Sequence, residues 1–184
     1  MLYLIGGVGR SGKSVLARKL AERLHISYFG LDVLMMGMHH GNPDFGIGPD
    51  VEDEVVANKM WPIVEGMVIN LLEVEDQYIL EGAYLMPKHL GQISTEFGAG
   101  VRCLYLGYAE TSAKTKRDQI ELGAGQPNDW MNGLADDVVL KYAERGIKRS
   151  VQAKAQCKEL GVRFLDTGKD FRQAIELGVS WLLG

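Results

Sequence analysis

A chain of 184 residues, 46% hydrophobic and 24% charged, has the composition of a folded globular protein and enough length to bury a substantial core, which argues against disorder. Its formal net charge of −4 leaves no general excess of Lys and Arg. Neither nucleic acid nor an anionic membrane is therefore an expected partner, and any anion site must be local.

In chain order, LYLIG (2–6) reads as a short apolar strand ending in glycine. The following SVLARKLAERL places Leu16, Leu20 and Leu24 at i+4 spacing with charges elsewhere, the pattern of an amphipathic helix. ISYFG (26–30) reads as a second strand, QYILEG (77–82) and VRCLYLG (101–107) as two longer ones buried on both faces, and VRFLD (162–166) as a fifth. Between them the clearest helical stripe is Val56, Met60, Ile63, Met67 and Leu71, with Pro62 kinking or restarting that helix. A final helix is expected over 171–183. Strands alternating with helices imply a parallel sheet with helices on both faces, a three-layer α/β/α architecture whose ligand crevice lies at the carboxyl ends of the strands.

Three segments fall outside the alternation: 35–50, the stretch around Pro87, and 121–133. The first and third are rich in Gly, Asn, Asp and Pro and read as mobile surface loops. The chain shows no internal repeat, no basic region followed by a cleavable apolar stretch, no apolar run expected to span a bilayer and no long heptad seam, so a single cytoplasmic domain over 1–184 is expected. Cys103 and Cys157 have no metal-ligand spacing and read as reduced core residues, and the adjacent His39 and His40 lack a third ligand at a telling spacing.

The strongest signal is GVGRSGKS, in which Gly7, Gly12, Lys13 and Ser14 satisfy G-x-x-x-x-G-K-[ST] between a predicted strand and a predicted helix. In that setting the loop from Gly7 through Val8, Gly9, Arg10, Ser11 and Gly12 to Val15 is expected to cradle phosphates with backbone N–H groups. Lys13 would reach the β- and γ-phosphates and Ser14 would ligate Mg²⁺. Arg10 either lies over the base or points to solvent. Glu81 ends an apolar strand, where a carboxylate holds a water of a metal shell or pairs with a nearby cation. Asp32, just past the second strand, is a general base at the crevice, a ligand to a water of Mg²⁺ or a helix N-cap, and the base and cap roles are compatible in one residue.

These motifs, with YFGLDVL (28–34), YILEGAYLMP (78–87), a lid-like stretch after the fourth strand and RFLDTGKDF (163–171), resemble the adenylate-kinase-like and shikimate-kinase-like group of P-loop kinases. The resemblance spans nearly the whole chain. It implies sheet order 2-3-1-4-5, ATP as phosphoryl donor with Mg²⁺, an acceptor-binding segment near 35–60 and a small lid near 115–150 that closes over the nucleotide. Nucleoside monophosphate kinases of this kind carry an arginine soon after the Asp32 position and another soon after the acid-glycine pair. Here those stretches read LDVLMMG and EGAYLMPKHL, without arginine, which moves the expected acceptor to a hydroxyl-bearing small molecule, with Lys88 or His89 available for an acceptor anion.

Two basic sets are available for charge on the transferred group. One is Lys114, Lys116 and Arg117. The other is Lys141, Arg145, Lys148 and Arg149 with Gln152 on one helical face, where Arg145 and Arg149 are either phosphate contacts or part of a solvated face laced by i,i+4 pairs. Met35, Met36, Met38, His39, His40 and Phe45 form either an adaptable acceptor wall or core packing. A nucleotide kinase and a nucleotide-dependent regulatory protein are the competing readings. A GTP switch is disfavoured because TGKD (167–170) has the wrong order for base recognition.

Overall fold

The computed structural model describes residues 1–75, 77–123 and 131–184. Five parallel strands, β1 (Leu2–Gly7), β2 (Tyr28–Gly30), β3 (Tyr78–Gly82), β4 (Val101–Gly107) and β5 (Arg163–Asp166), pair in the order β2-β3-β1-β4-β5, as the resemblance implies. The register sets Ile5 beside Glu81 and Leu104, so β1 is flanked on both sides and all six of its residues are buried.

Alternation along β1 feeds two cores. Leu2 and Leu4 join Leu80, Tyr105 and the inner faces of α2 (Leu31–Gly41), α3 (Asp53–Val74), α4 (Pro87–Phe97) and α6 (Asp136–Glu159). Tyr3 and Ile5 join Ile79, Leu104 and Leu106 beneath α1 (Lys13–Leu24) and α7 (Phe171–Leu183). The remaining helix, α5 (Ala113–Leu122), packs on α6 through Ile120 and Val139. Local chemistry sets the helix starts. Pro87 opens α4, while Ser112 Oγ accepts from Thr115 N (3.0 Å) and Asp170 Oδ1 from Gln173 N (2.9 Å) at the first turns of α5 and α7.

Several expectations change. The segment 35–50, read as a loop, begins as helix, because Leu31 and Met35 repeat at i+4 and are both buried, which outweighs Gly37; only beyond Gly41 does it break, into a short 3-10 turn at Pro43–Phe45. Helix α3 runs unbroken through Pro62, and its buried stripe is Val56, Met60, Val64 and Val68, leaving Ile63 exposed. Contrary to the sequence expectation, α3 is by length and composition able to cross a membrane, although its apolar stripe belongs to the core under it. Cys103 and Cys157 are free and buried, and burial pushes both thiols up to about 12, so they act as packing groups.

Candidate active site

The phosphate loop leaves β1 at Gly7 and enters α1 at Lys13, with left-handed backbone at Arg10 (φ 62°) and Gly12 (φ 98°). At Gly12 a side chain is excluded twice over, by this φ and because a Cβ would fall 2.6 Å from Phe171 Cε2. No side chain caps α1, so the N–H groups of its first turn have no protein acceptor from the N-cap. Those donors and the helix dipole form an anion site. Ser11 Oγ is buried in the same loop with no hydrogen-bond partner among the described residues.

Lys13 is 7% exposed and its Nζ donates to the Val8 carbonyl at 3.0 Å, held within the loop. Ser14 Oγ donates to Glu81 Oε1 at 2.9 Å, joining the start of α1 to the end of β3. Glu81 is 6% exposed, and its Oε2 is buried without a hydrogen-bond partner among the described residues. Burial raises its pKa above the usual 4.5, with Asp32 pushing the same way, while Lys13 and the Ser14 hydrogen bond pull it down. A hydroxyl and a carboxylate with one oxygen to spare, together at one strand end, are the kind of hard donors that Mg²⁺ takes alongside its waters and a phosphate.

Asp32 stands in the first turn of α2 and is exposed, and the N-cap there is Gly30, so the capping role is not what the backbone uses. Its charge reaches Glu81 and also Tyr84, whose buried hydroxyl is raised in pKa by burial, then by Asp32 and Asp53. Nearby, Arg149 of α6 donates to Asp53 at the start of α3, and Lys88 pairs with Glu54 at 3.5 Å. His89 is buried face to face on Trp61 (centroids 4.1 Å, 7° between planes) with Nδ1 3.3 Å from the Tyr84 carbonyl. Burial lowers its pKa to about 4, so the ring is neutral and Nδ1–H is the donor. His39 Nδ1 donates likewise to the Ile47 carbonyl at 2.8 Å. Met35 is core, whereas Met36, Met38 and Phe45 pack against that core partly exposed.

On the other side of the loop, Tyr108 Oη donates to the Gly9 carbonyl (3.1 Å), and Tyr142 Oη fills the space beside the Gly9 Cα. Lys116, 2% exposed, places Nζ 4.2 Å above the Tyr108 ring. Burial and the Arg10 charge lower it to about 8, Asp166 opposes them, and no carboxylate lies within ion-pair distance among the described residues. Of the first basic set, then, Lys116 is the buried cation, set over the ring whose hydroxyl holds Gly9. Arg117 sits instead among Asp118 (2.6 Å), Asp136 (3.5 Å) and Glu121 (3.6 Å). Lys114, Arg145, Lys148 and Gln152 are exposed, and Lys141 pairs with Asp137 at 3.2 Å. Part of the lid-like stretch, 124–130, lies outside the described residues.

Asp166 closes this side. Its Oδ2 accepts from Ala109 N (2.9 Å) and Glu110 N (3.1 Å), and its Oδ1 from Gly168 N (2.8 Å). Sequence reasoning did not single out Tyr84, Asp53, Tyr108, Tyr142 or Gln119; Asp53 is marked only by its pairing with Arg149 and the others by polar atoms in buried or half-buried places, and both need the fold. Gly146 of α6 lies against Tyr108, and a Cβ there would overlap the phenol oxygen. Gly146→Ala is expected to displace Tyr108 from Gly9 and cost about 1–3 kcal/mol, read as a lowered denaturation midpoint at unchanged m; unchanged stability would mean the helix simply moves aside.

No protein-family profile matches the sequence, and no curated protein matches it significantly. Solved structures do match. Shikimate kinase from Bacteroides thetaiotaomicron aligns over 99% of this chain and 96% of its own at TM-score 0.58 and 16% identity. A gluconokinase from Sinorhizobium meliloti 1021 aligns over 98% and 90% at TM-score 0.59 and 13% identity. An uncharacterized protein from Eubacterium ventriosum aligns over 100% and 99% at TM-score 0.56 and 14% identity. At such identities the likeness is one of fold: the five-stranded parallel sheet and its helices match those of the solved shikimate kinase and gluconokinase.

Proposed function

We propose that the protein is an ATP-dependent kinase that transfers the γ-phosphoryl group to a hydroxyl of a small molecule. The observation that carries the reading is the Ser14–Glu81 pair at 2.9 Å with its spare buried oxygen, set between a phosphate loop and an exposed Asp32 one strand away. A nucleotide switch needs the loop but has no use for a second, exposed carboxylate at the acceptor side.

The residues divide the work by position. First-turn N–H groups of α1 and Lys13 hold the triphosphate, and Lys13 must leave the Val8 carbonyl to do so. Ser14 and Glu81 hold Mg²⁺, which when bound neutralises charge on the phosphates. Asp32 orients the acceptor hydroxyl and takes its proton as oxygen attacks phosphorus and the bond to the ADP oxygen breaks. Arg145 and Arg149 are the cations expected to meet charge on the transferred group, Arg149 after exchanging its Asp53 partner for an anion. The acceptor side offers neutral His89 and a Lys88 already paired with Glu54, in keeping with an alcohol rather than a nucleoside monophosphate. The protein is expected to act in the cytoplasm, without nucleic acid or membrane partners, as one domain with a small lid.

ADP release measured across a panel of sugar acids, other polyols, nucleosides and nucleoside monophosphates tests the reading. Phosphorylation of monophosphates alone would replace it with a nucleotide kinase. On an alcohol substrate, Asp32→Asn is expected to lower kcat about 10²- to 10⁴-fold with KM little changed. Near-normal turnover of that variant would remove Asp32 from the role of base.

A further inference from the structure

The polar face of α5 contains an atom that the reading above leaves unused. Gln119 Nε2 donates to the Gly168 carbonyl at 2.9 Å. A carbonyl oxygen can only accept, so this contact fixes which end of the amide is which. The other end, Oε1, is an acceptor whose direction is set, and it is buried with no hydrogen-bond partner among the described residues. Leaving such an oxygen unmet is unfavourable, and Leu or Met at this position would avoid the cost. The group points to a ligand that donates.

Its place in the fold says which part of a ligand. One turn away on the same helix, Lys116 lies over Tyr108, whose hydroxyl holds Gly9 of the phosphate loop. Gly168 itself is fixed, since its N–H is held by Asp166 Oδ1 and a Cβ on it would fall 3.0 Å from Thr111 Cβ. The next helix starts at Phe171, which touches Gly12. Gln119 therefore lies on the β4–β5 side of the sheet, against the connection that leads from β5 to α7. Ser14, Glu81 and Asp32 border the phosphate loop on the β3–β2 side, where the γ-phosphate and acceptor belong. A triphosphate with its γ end on that side directs its nucleoside toward Gln119.

We propose that Gln119 is a specificity-determining residue for the phosphoryl donor, its Oε1 accepting a hydrogen bond from the exocyclic amine of adenine and thereby selecting adenine over guanine nucleotides. Guanine carries a carbonyl at the corresponding ring position, and two acceptors would face one another. The proposal rests on the reading that the loop binds a nucleoside triphosphate. It adds the residue that reads the base, which the loop, contacting phosphates alone, does not do.

Equilibrium binding by calorimetry, with the full chain and no acceptor present, tests it with three probes: ATP, GTP and purine riboside triphosphate, which lacks the amine. The wild type is expected to bind ATP about 10- to 100-fold more tightly than either of the others. In Gln119→Leu, and in Gln119→Met as a second variant should Leu disturb the helix, the ratio of ATP to purine riboside triphosphate affinity is expected to fall to about one. A general loss of packing would instead weaken all three probes together and keep their ratio. Equal wild-type affinity for ATP and purine riboside triphosphate, or an unchanged ratio in both variants, would overturn the assignment while leaving the kinase reading in place. Failure of the wild type to bind any of the three would overturn both.

Discussion

Lys13→Ala is expected to weaken ATP binding about 10- to 100-fold and to lower any phosphoryl transfer by on the order of 10³. In the folded chain the ammonium is withdrawn from water and donates to the Val8 carbonyl, a neutral acceptor that does not balance its charge. A triphosphate offers an opposite charge at hydrogen-bond distance, an ion pair in place of a charge–dipole contact. The side chain is thus held beside its target in the absence of nucleotide and needs only a local rotation to engage. Titration calorimetry with the metal chelated reads the affinity term, since Lys13 acts on phosphate oxygens directly. Affinity within twofold of wild type would mean that the loop binds no triphosphate through this residue. Val8 O also accepts from Ser11 N at 3.3 Å, so the variant keeps one loop hydrogen bond and is expected to fold.

Glu81→Gln is expected to do two opposite things. The ionised carboxylate is buried against the end of β3, and the net result of burial, Asp32, Lys13 and Ser14 is a pKa above 4.5. In the absence of metal the charged form therefore weighs against folding even after the help of Lys13. The stabilising share of the protonated acid is complete below the unfolded value of 4.5 and is lost as pH rises through the folded pKa. Gln imitates the neutral acid and keeps an oxygen for Ser14. At pH 7 without metal the variant is expected to gain about 1 kcal/mol, some 2–4 °C in Tm for a chain of this size, and the gain should vanish near pH 4. With Mg²⁺ and ATP the order is expected to reverse, because a charged carboxylate would hold the cation far better than a neutral amide oxygen, and turnover is expected to fall about 10²-fold or more. Thermal melts at several pH values, with and without Mg-ATP, check both halves. A variant less stable than wild type in metal-free buffer at pH 7 would show that Lys13 depends on the Glu81 charge more than burial opposes it.

The sequence made the strands legible because parallel strands buried on both faces are nearly continuous apolar runs, as in VRCLYLG. Strand order was not in the periodicity and came from resemblance. The segment after Asp32 was misread for a local reason: Gly37, Gly41 and Pro43 look like loop chemistry, while the contacts that make MMGMHH helical come from the core under Leu31 and Met35. The glycine loop between β1 and α1, Asp32 after β2 and Glu81 at the end of β3 stand at the strand ends where the sequence put them, because each is marked by its neighbours in sequence. Gln119 and Gly168 are 49 residues apart, and Arg149 and Asp53 are 96 apart; nothing local marks either pair. Arg117 drew attention as a charge, yet a charge alone does not reveal that three carboxylates already surround it.

Asp166 takes three backbone N–H groups from two separate connections, one leaving β4 and one leaving β5. That single carboxylate works as a mortise between them, so the wall on the β4–β5 side acquires its shape when the chain folds and not when a ligand arrives. Little ordering entropy then remains to be lost there on association. The opposite flank is held by contacts of a different kind, the Arg149–Asp53 and Lys88–Glu54 pairs, both solvent-accessible and open to exchange with ions. A molecule built with one stiff jaw and one compliant jaw would capture its donor on the stiff side first, leaving the compliant side to adjust around whatever is to be phosphorylated.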